Sequence, residues 1–247
     1  MNTYIQNFQS FSKKLVYDFK LGDGGIGDNI KFFMYMLESC MQTNTQLYYK
    51  KNNIEIEKYI KLKYDIMYIN DTELNQLQYI NVIRPYALYS SVNYNYSIPV
   101  SDVFYFSDEV KINKSRIFPP ITNYVSVHLR LGDKYLETDK NYVLCKEDVR
   151  EFSQQKIHKF IEDNVNENIF FCCDNKKYKL DLKTKYNNII ITDCDIGHTS
   201  LSNTSSESIL NAVTEFYILT NSRCIFAGSS SGFSIIASKF NNIPLLM

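Results

Sequence analysis

From residue 120 onward the chain alternates between two kinds of hydrophobic spacing. Short apolar runs occupy 125–131, 169–173, 189–193, 224–227 and 243–246. Between them, over 147–165, 177–186, 207–221 and 233–240, apolar residues recur every three or four positions, as in Ile209, Val213, Phe216 and Leu219. Apolar runs bounded by turn residues predict buried strands, and the three-to-four spacing predicts amphipathic helices. Strict alternation of the two predicts a parallel sheet with both faces covered.

The first half is less regular. Residues 15–19 read as a strand running into a glycine-rich turn, where Gly22, Gly24, Gly25 and Gly27 are four of the chain's eight glycines. From Asn29 the spacing of Ile30, Phe33, Met34, Leu37 and Met41 is helical, with Asp28 as the expected N-cap. Further strands are expected at 46–49, 66–69 and 103–106. A short helix or an irregular crossover is expected at 54–60, a short helix at 73–77, and a leading helix or loose arm before residue 15. The Tyr- and Asn-rich stretch 79–99, broken by Pro85 and Pro99, reads as irregular. Pro119-Pro120 can neither continue a helix nor donate to a ladder, so the lobe boundary is expected at 118–122. That divides the chain into an N-terminal lobe, 1–118, and a C-terminal lobe, 119–247.

Composition narrows the functional classes. Lys and Arg (27) balance Asp and Glu (27), which argues against a broad electrostatic surface for nucleic acid or membrane. No run of about 20 apolar residues is present, so no membrane span is expected. No apolar signal segment opens the chain, and a cytoplasmic location is the expectation. The six cysteines lack paired metal-binding spacings and read as reduced, buried thiols.

The chemistry gathers at strand ends. In 125–131, Val125, Val127, Leu129 and Leu131 share one face, while Ser126, His128 and Arg130 share the other, followed by Gly132-Asp133. An imidazole and a guanidinium at the carboxyl end of a strand suit an anionic ligand, although ordinary sheet hydrogen bonds and an ion pair would use the same residues. Two other strands end in Asp174-Asn175 and in Gly228-Ser229-Ser230-Ser231-Gly232. The second of these leads into a helix N-terminus, where free N–H groups favour negative charge. The glycine-rich loop at 22–27 is a second place where backbone approaches a ligand closely, or simply a tight turn.

The run His128-Leu129-Arg130-Leu131-Gly132-Asp133-Lys134 resembles the His-x-Arg signature of the GDP-fucose-dependent fucosyltransferases. Residues 170–175 and 215–231 are similar, in the expected order, to two further segments of that superfamily. The loop Gly24-Gly25-Ile26-Gly27-Asp28-Asn29 is similar to the Gly-Gly-Leu-Gly-Asn of its α1,2 group. The resemblance implies a GT-B-like α/β fold, two Rossmann-like lobes with parallel sheets facing a cleft. It implies metal-independent, inverting transfer of a sugar, fucose from GDP-fucose, to a glycan hydroxyl. The N-terminal lobe would serve the acceptor and the C-terminal lobe the nucleotide sugar, with no metal or other cofactor.

By position, the resemblance gives Arg130 the diphosphate and the leaving group, His128 the nucleotide site and Asp174 the base. Ser229, Ser230 and Ser231 would lie at the phosphates, and Gly25, Gly27 and Asn29 would form the donor side of the glycine loop. Asp133 is the expected catalytic acidic residue, with Asp23, Asp28 and Glu137 as other candidates for the general base. Leu131 stands where many relatives carry a second Arg, and Asp28 where a plain Gly-Asn is usual. These departures leave room for a different nucleotide sugar, or for an idle sugar-nucleotide-binding protein. Oligomeric state is not legible.

Overall fold

The computed structural model describes residues 1–77, 80–88, 92–132 and 150–247. In chain order the first half holds α1 (Asn2–Asn7), β1 (Lys13–Tyr17), α2 (Ile26–Thr43), β2 (Thr45–Lys50), α3 (Ile56–Tyr59) and β3 (Ile60–Leu62). It continues with β4 (Tyr68–Ile69), α4 (Asp71–Gln76), β5 (Asn81–Ile83), β6 (Phe104–Phe106) and α5 (Asp108–Ile117). The second half holds β7 (Val125–Leu129), α6 (Gln154–Asp163), β8 (Ile169–Cys173), α7 (Lys176–Lys185) and β9 (Ile189–Ile190). It closes with α8 (Ser206–Thr220), β10 (Ile225–Ala227), α9 (Gly232–Phe240) and β11 (Leu245–Leu246).

Two parallel sheets organise these elements. The first has the order β4-β2-β1-β5 and the second β11-β10-β7-β8-β9, with every pairing parallel. A small antiparallel pair, β3-β6, stands beside them. In each large sheet the order winds one way from a central strand and then reverses. The reversal falls between β1 and β5 in the first sheet and between β7 and β10 in the second. Ligands of doubly wound sheets bind at such reversals, beyond the carboxyl ends of the strands.

The apolar pattern explains the layering. Val125, Val127 and Leu129 of β7 join Ile169, Phe171 and Cys173 of β8 in one core beneath α6 and α7, using Ile157, Ile161 and Leu182. The opposite face, with Phe170 and Cys172, belongs to a larger core. That core runs without a break through Phe216 and Leu219 of α8 and Ile236 and Phe240 of α9 to Ile30, Phe33 and Leu37 of α2. Phe106 packs against Tyr217 and Phe240, with ring centroids 4.9 and 4.7 Å apart. The second half's helices start on side-chain caps: Ser153, Asn175, Ser205 and Ser231 accept the N–H of Lys156, Tyr178, Ser208 and Phe233.

Several expectations shift. Asp28 is not the cap of α2. The helix starts at Ile26 on Gly25, and Asp28, in the first turn, accepts the Gly25 N–H at 3.2 Å. The helix expected over 147–165 starts at Gln154, because Phe152 instead bridges Ser229 in an antiparallel contact; 147–149 lie outside the described residues. The run at 66–69 is a 3₁₀ turn and a two-residue strand, and the strand expected over 189–193 ends at Ile190. Helix α5 and strand β5 went unanticipated.

At one point the halves touch backbone to backbone. A Cβ added to Gly27 would lie 2.7 Å from the carbonyl carbon of Gly232 and 2.9 Å from the nitrogen of Phe233. Gly27→Ala is therefore expected to cost about 1–3 kcal/mol by forcing α2 away from α9. Gly25→Ala, whose Cβ meets nothing closer than 3.7 Å, is expected to cost less. Urea unfolding of the two variants measures the difference; equal losses would contradict the close contact.

Candidate functional site

The carboxyl ends of both sheets open on one cavity of about 390 Å³. Its first wall comes from the loop after β1 and the start of α2: Gly25, Ile26, Gly27, Asp28 and Lys31, joined by Tyr94. Its second wall comes from β7, β8 and β10: His128, Arg130, Asp174, and the stretch Ser230, Ser231, Gly232 and Phe233. The N-termini of α2 and α9 meet here, so unpaired N–H groups and the positive ends of two helix dipoles face the same space.

Asp174 organises the second wall. Its carboxylate accepts the backbone N–H of Leu131 at 2.9 Å and of Gly132 at 3.1 Å, and lies 3.4 Å from Nη1 of Arg130. Gly132 has φ of 109°, a conformation that favours glycine, as the chain turns to present these donors. Burial pushes the Asp174 carboxyl above its ordinary range, against the Arg130 charge and the two N–H donors. On the other side of Arg130, Ser229 Oγ accepts its N–H at 2.9 Å and donates to its carbonyl at 2.8 Å. Both backbone groups of Arg130 are thus clamped, and its side chain stays 18% exposed at the cavity.

His128 is buried and stacked on Phe233, with ring centroids 5.1 Å apart and planes at 21°. Its Nδ1 has no hydrogen-bond partner. Burial lowers its pKa to about 3, helped by the Arg130 charge, so the ring is neutral at physiological pH. On the first wall Lys31 Nζ lies 2.8 Å from Asp28 Oδ1. On the cavity floor Glu215 is paired with Lys179 at 2.8 Å, both side chains 1% exposed, and also accepts from Thr192 and from Cys172 Sγ. Burial works against the Lys179 charge, and Glu215 beside it more than reverses that effect.

Of the residues singled out from sequence, Gly25, Gly27, Asp28, His128, Arg130, Asp174, Ser230 and Ser231 line the cavity. Three do not. Asn29 turns into the core, where its Nδ2 donates to Tyr49 Oη at 2.9 Å, because it lies on the inward face of α2. Ser229 spends its hydroxyl on Arg130. Asp23 is buried in the turn after β1, accepting the Lys20 N–H at 2.8 Å and pairing with Arg84 at 2.5 Å. Asp174, expected at a base, has its carboxylate engaged by the 131–132 backbone and Arg130. Asp133 and Glu137 lie outside the described residues.

Lys31, Tyr94, Arg150, His198 and Glu215 also line the cavity and were not foreseen. Lys31, one turn beyond the glycine loop on the same helix, was the one with a local signal. The triplet Asp193-Cys194-Asp195 has the Asp-x-Asp form often associated with metal-bound nucleotides. Its exposed carboxylates instead each lie 3.3 Å from Lys176, away from the cavity lining. Among the described residues no group of three or more His, Cys, Asp or Glu is placed to hold a metal ion. Nor is any described helix long and apolar enough to cross a membrane. Cys40, Cys172, Cys173, Cys194 and Cys224 are free thiols.

No protein-family model matches the chain, and no curated protein matches it in sequence. Solved structures do match. NodZ α-1,6-fucosyltransferase soaked with GDP-fucose superposes with a TM-score of 0.59 at 10% identity, over 93% of each chain. NodZ is also known as a fucosyltransferase from Bradyrhizobium. A variant of Arabidopsis thaliana FUT1 in complex with GDP gives 0.54 at 10% identity, over 99% of this chain and 73% of that one. POFUT1 in complex with GDP gives 0.51 at 12% identity, over 95% and 97%. The fold is shared with solved fucosyltransferases. It is α/β and GT-B-like, with parallel sheets that meet at a cleft.

The neutral, buried His128 makes stability depend on pH. Its folded pKa lies below the unfolded value near 6.5, so between about 6.5 and 3 the unfolded chain binds the extra proton. This contribution is complete above pH 6.5 and is lost as pH falls, at roughly 1 kcal/mol per unit. His128→Asn is expected to flatten that part of the pH profile in urea unfolding; an unchanged slope would mean the ring is not buried neutral.

Proposed function

We propose that this protein is a glycosyltransferase that moves a sugar, fucose from GDP-fucose, to a hydroxyl of a glycan acceptor with inversion. One observation carries the reading. Two helix N-termini and Arg130 converge on a single cavity at the chain reversals of two facing parallel sheets, in a fold whose solved examples include GDP and GDP-fucose complexes.

In this reading the C-terminal lobe, 119–247, holds the nucleotide sugar. The diphosphate lies between the N-termini of α2 and α9, near Ser230 and Ser231, with the Arg130 guanidinium beside it. The sugar C1–O bond breaks and its electron pair stays on the terminal phosphate oxygen. Arg130 and the fixed N–H groups stabilise that charge without reorganising, the work a divalent ion does elsewhere. His128 meets the nucleotide through its ring nitrogens, and the unpartnered Nδ1 gains a hydrogen bond.

The acceptor approaches from the N-terminal lobe, 1–118, where Tyr94 offers an aromatic surface. Its hydroxyl oxygen forms the new bond to C1 from the face opposite the departing diphosphate. Asp28 takes the proton released, with Lys31 orienting its carboxylate. Asp23, locked to Arg84 and the Lys20 N–H, has no such access. A second reading, a sugar-nucleotide binder without turnover, draws on the internal pairing of Arg130 with Asp174 and of Asp28 with Lys31.

Calorimetry with GDP, UDP and dTDP, followed by turnover of GDP-fucose, separates these readings. GDP is expected to bind in preference to the other two. Arg130→Ala is expected to lose at least about tenfold in GDP affinity. Asp28→Asn is expected to keep GDP affinity while transfer falls by about 10²–10⁴. Binding of none of the three nucleotides would remove the proposal; GDP binding without turnover would leave the binder.

A further inference from the structure

We propose that Ser200 is a positioning residue for Asp28: from a loop of the C-terminal half it fixes the peptide against which the Asp28 carboxylate rests. The inference rests on the reading of Asp28 as the base and extends it to a residue that no motif marks.

The peptide unit joining Gly24 to Gly25 is held at both poles. Its carbonyl accepts the Ser200 hydroxyl, and its N–H donates to Asp28 Oδ2 at 3.2 Å. A Cβ added to Gly24 would lie 2.6 Å from that same Oδ2, so the carboxylate and the turn are in direct contact. The other oxygen, Oδ1, lies 2.8 Å from Lys31 Nζ. A peptide between two glycines meets little steric resistance to rotation, because neither flanking residue carries a Cβ. The hydrogen bond on its carbonyl therefore selects the orientation in which its N–H faces Asp28.

The loop holds that hydroxyl still. Ser200 is 4% exposed, and its N–H donates to His198 Nδ1 at 3.2 Å. The His198 carbonyl accepts the Leu201 N–H at 3.1 Å and the Thr204 hydroxyl at 2.9 Å. One residue earlier, the Gly197 N–H donates to the Ser208 carbonyl of α8 at 3.2 Å. The orientation of a carboxylate on α2 is thus referred to α8, in the other half of the chain. The N–H groups of Ile26 and Gly27 belong to the first turn of α2, whose place is set by the core it shares with α9. Loss of the Ser200 hydroxyl is therefore expected to act on the base and not on donor affinity.

The test measures GDP-fucose turnover, and GDP affinity by calorimetry, for wild type, Ser200→Ala, Asp28→Asn and the double variant. Unliganded melting curves serve as the folding control. Ser200→Cys, which keeps the volume and offers only a weak donor, repeats the measurement should the alanine variant not fold. Ser200→Ala is expected to lower kcat by about 10–10²-fold, with KM and GDP affinity within twofold of wild type. The double variant is expected to be no slower than Asp28→Asn, because both changes act on one group. An unchanged kcat in Ser200→Ala, with Asp28→Asn still slow, would overturn the assignment and leave the base reading standing. So would a double variant slowed by the product of the two single losses, or GDP affinity falling in step with kcat, either of which shows a loop that only shapes the site. If Asp28→Asn turns over GDP-fucose at the wild-type rate, or wild type turns over none, the base reading fails and this inference with it.

Discussion

The contact of Gly27 with Gly232 is the constraint on which the rest of the site depends. Helix N-termini repel one another electrostatically when they meet, because each carries partial positive charge on unpaired N–H groups. Here two of them are held together by apolar packing behind them, where Ile30, Phe33 and Leu37 of α2 share a core with Ile236 and Phe240 of α9. Any side chain at residue 27 would meet the backbone of 232–233. Folding energy therefore sustains a local concentration of positive potential that an anion would relieve. The same packing makes the two halves one continuous core, so the cavity is built into the folded state.

Around that potential the protein places charges in pairs. Arg130 with Asp174, Lys31 with Asp28, and Lys179 with Glu215 each put opposite charges within 3.4 Å. Removing one member of the buried Lys179–Glu215 pair costs about 3–5 kcal/mol because the other is left uncompensated. The pairs also fix geometry. Asp174 holds the 131–132 backbone as well as the Arg130 side chain, so one carboxylate sets the shape of that wall. Its carboxylate explains why Leu131 can turn into the core while Arg130 faces the cavity.

Much of this arrangement was legible in the chain, and the limits are physical. The second sheet could be read because its strands are buried on both faces and thus apolar throughout, with polar residues only where the strands end. Helix α5 was hidden because it packs on α8 partly through polar contacts, such as Asn113 Nδ2 to Asn211 Oδ1 at 3.0 Å, which blunt the apolar period. Strand β5 was hidden by being three residues long. At the site, residue type and strand end pointed to His128, Arg130, Gly27 and Ser231, which line one cavity. Direction was the missing information: Ser229 and Ser230 are neighbours of the same type, yet one clamps Arg130 and the other faces the cavity. Arg150 and Glu215 reach the cavity only through tertiary pairing, with the Phe152–Ser229 bridge in one case and the Lys179 ion pair in the other, and no local pattern announces either.

His128 carries an energetic deficit of its own. A buried nitrogen without a partner costs about 1–3 kcal/mol, and this one also faces the penalty of sitting near Arg130 if it takes a proton. The stack on Phe233 keeps the ring from turning away, and Phe233 is itself fixed by its place in the first turn of α9. The imidazole is therefore held neutral, oriented and unsatisfied at the wall of a cavity that collects positive potential. A ligand that combines negative charge with a polar group in reach of that nitrogen relieves both deficits together, whereas a simple anion relieves only one.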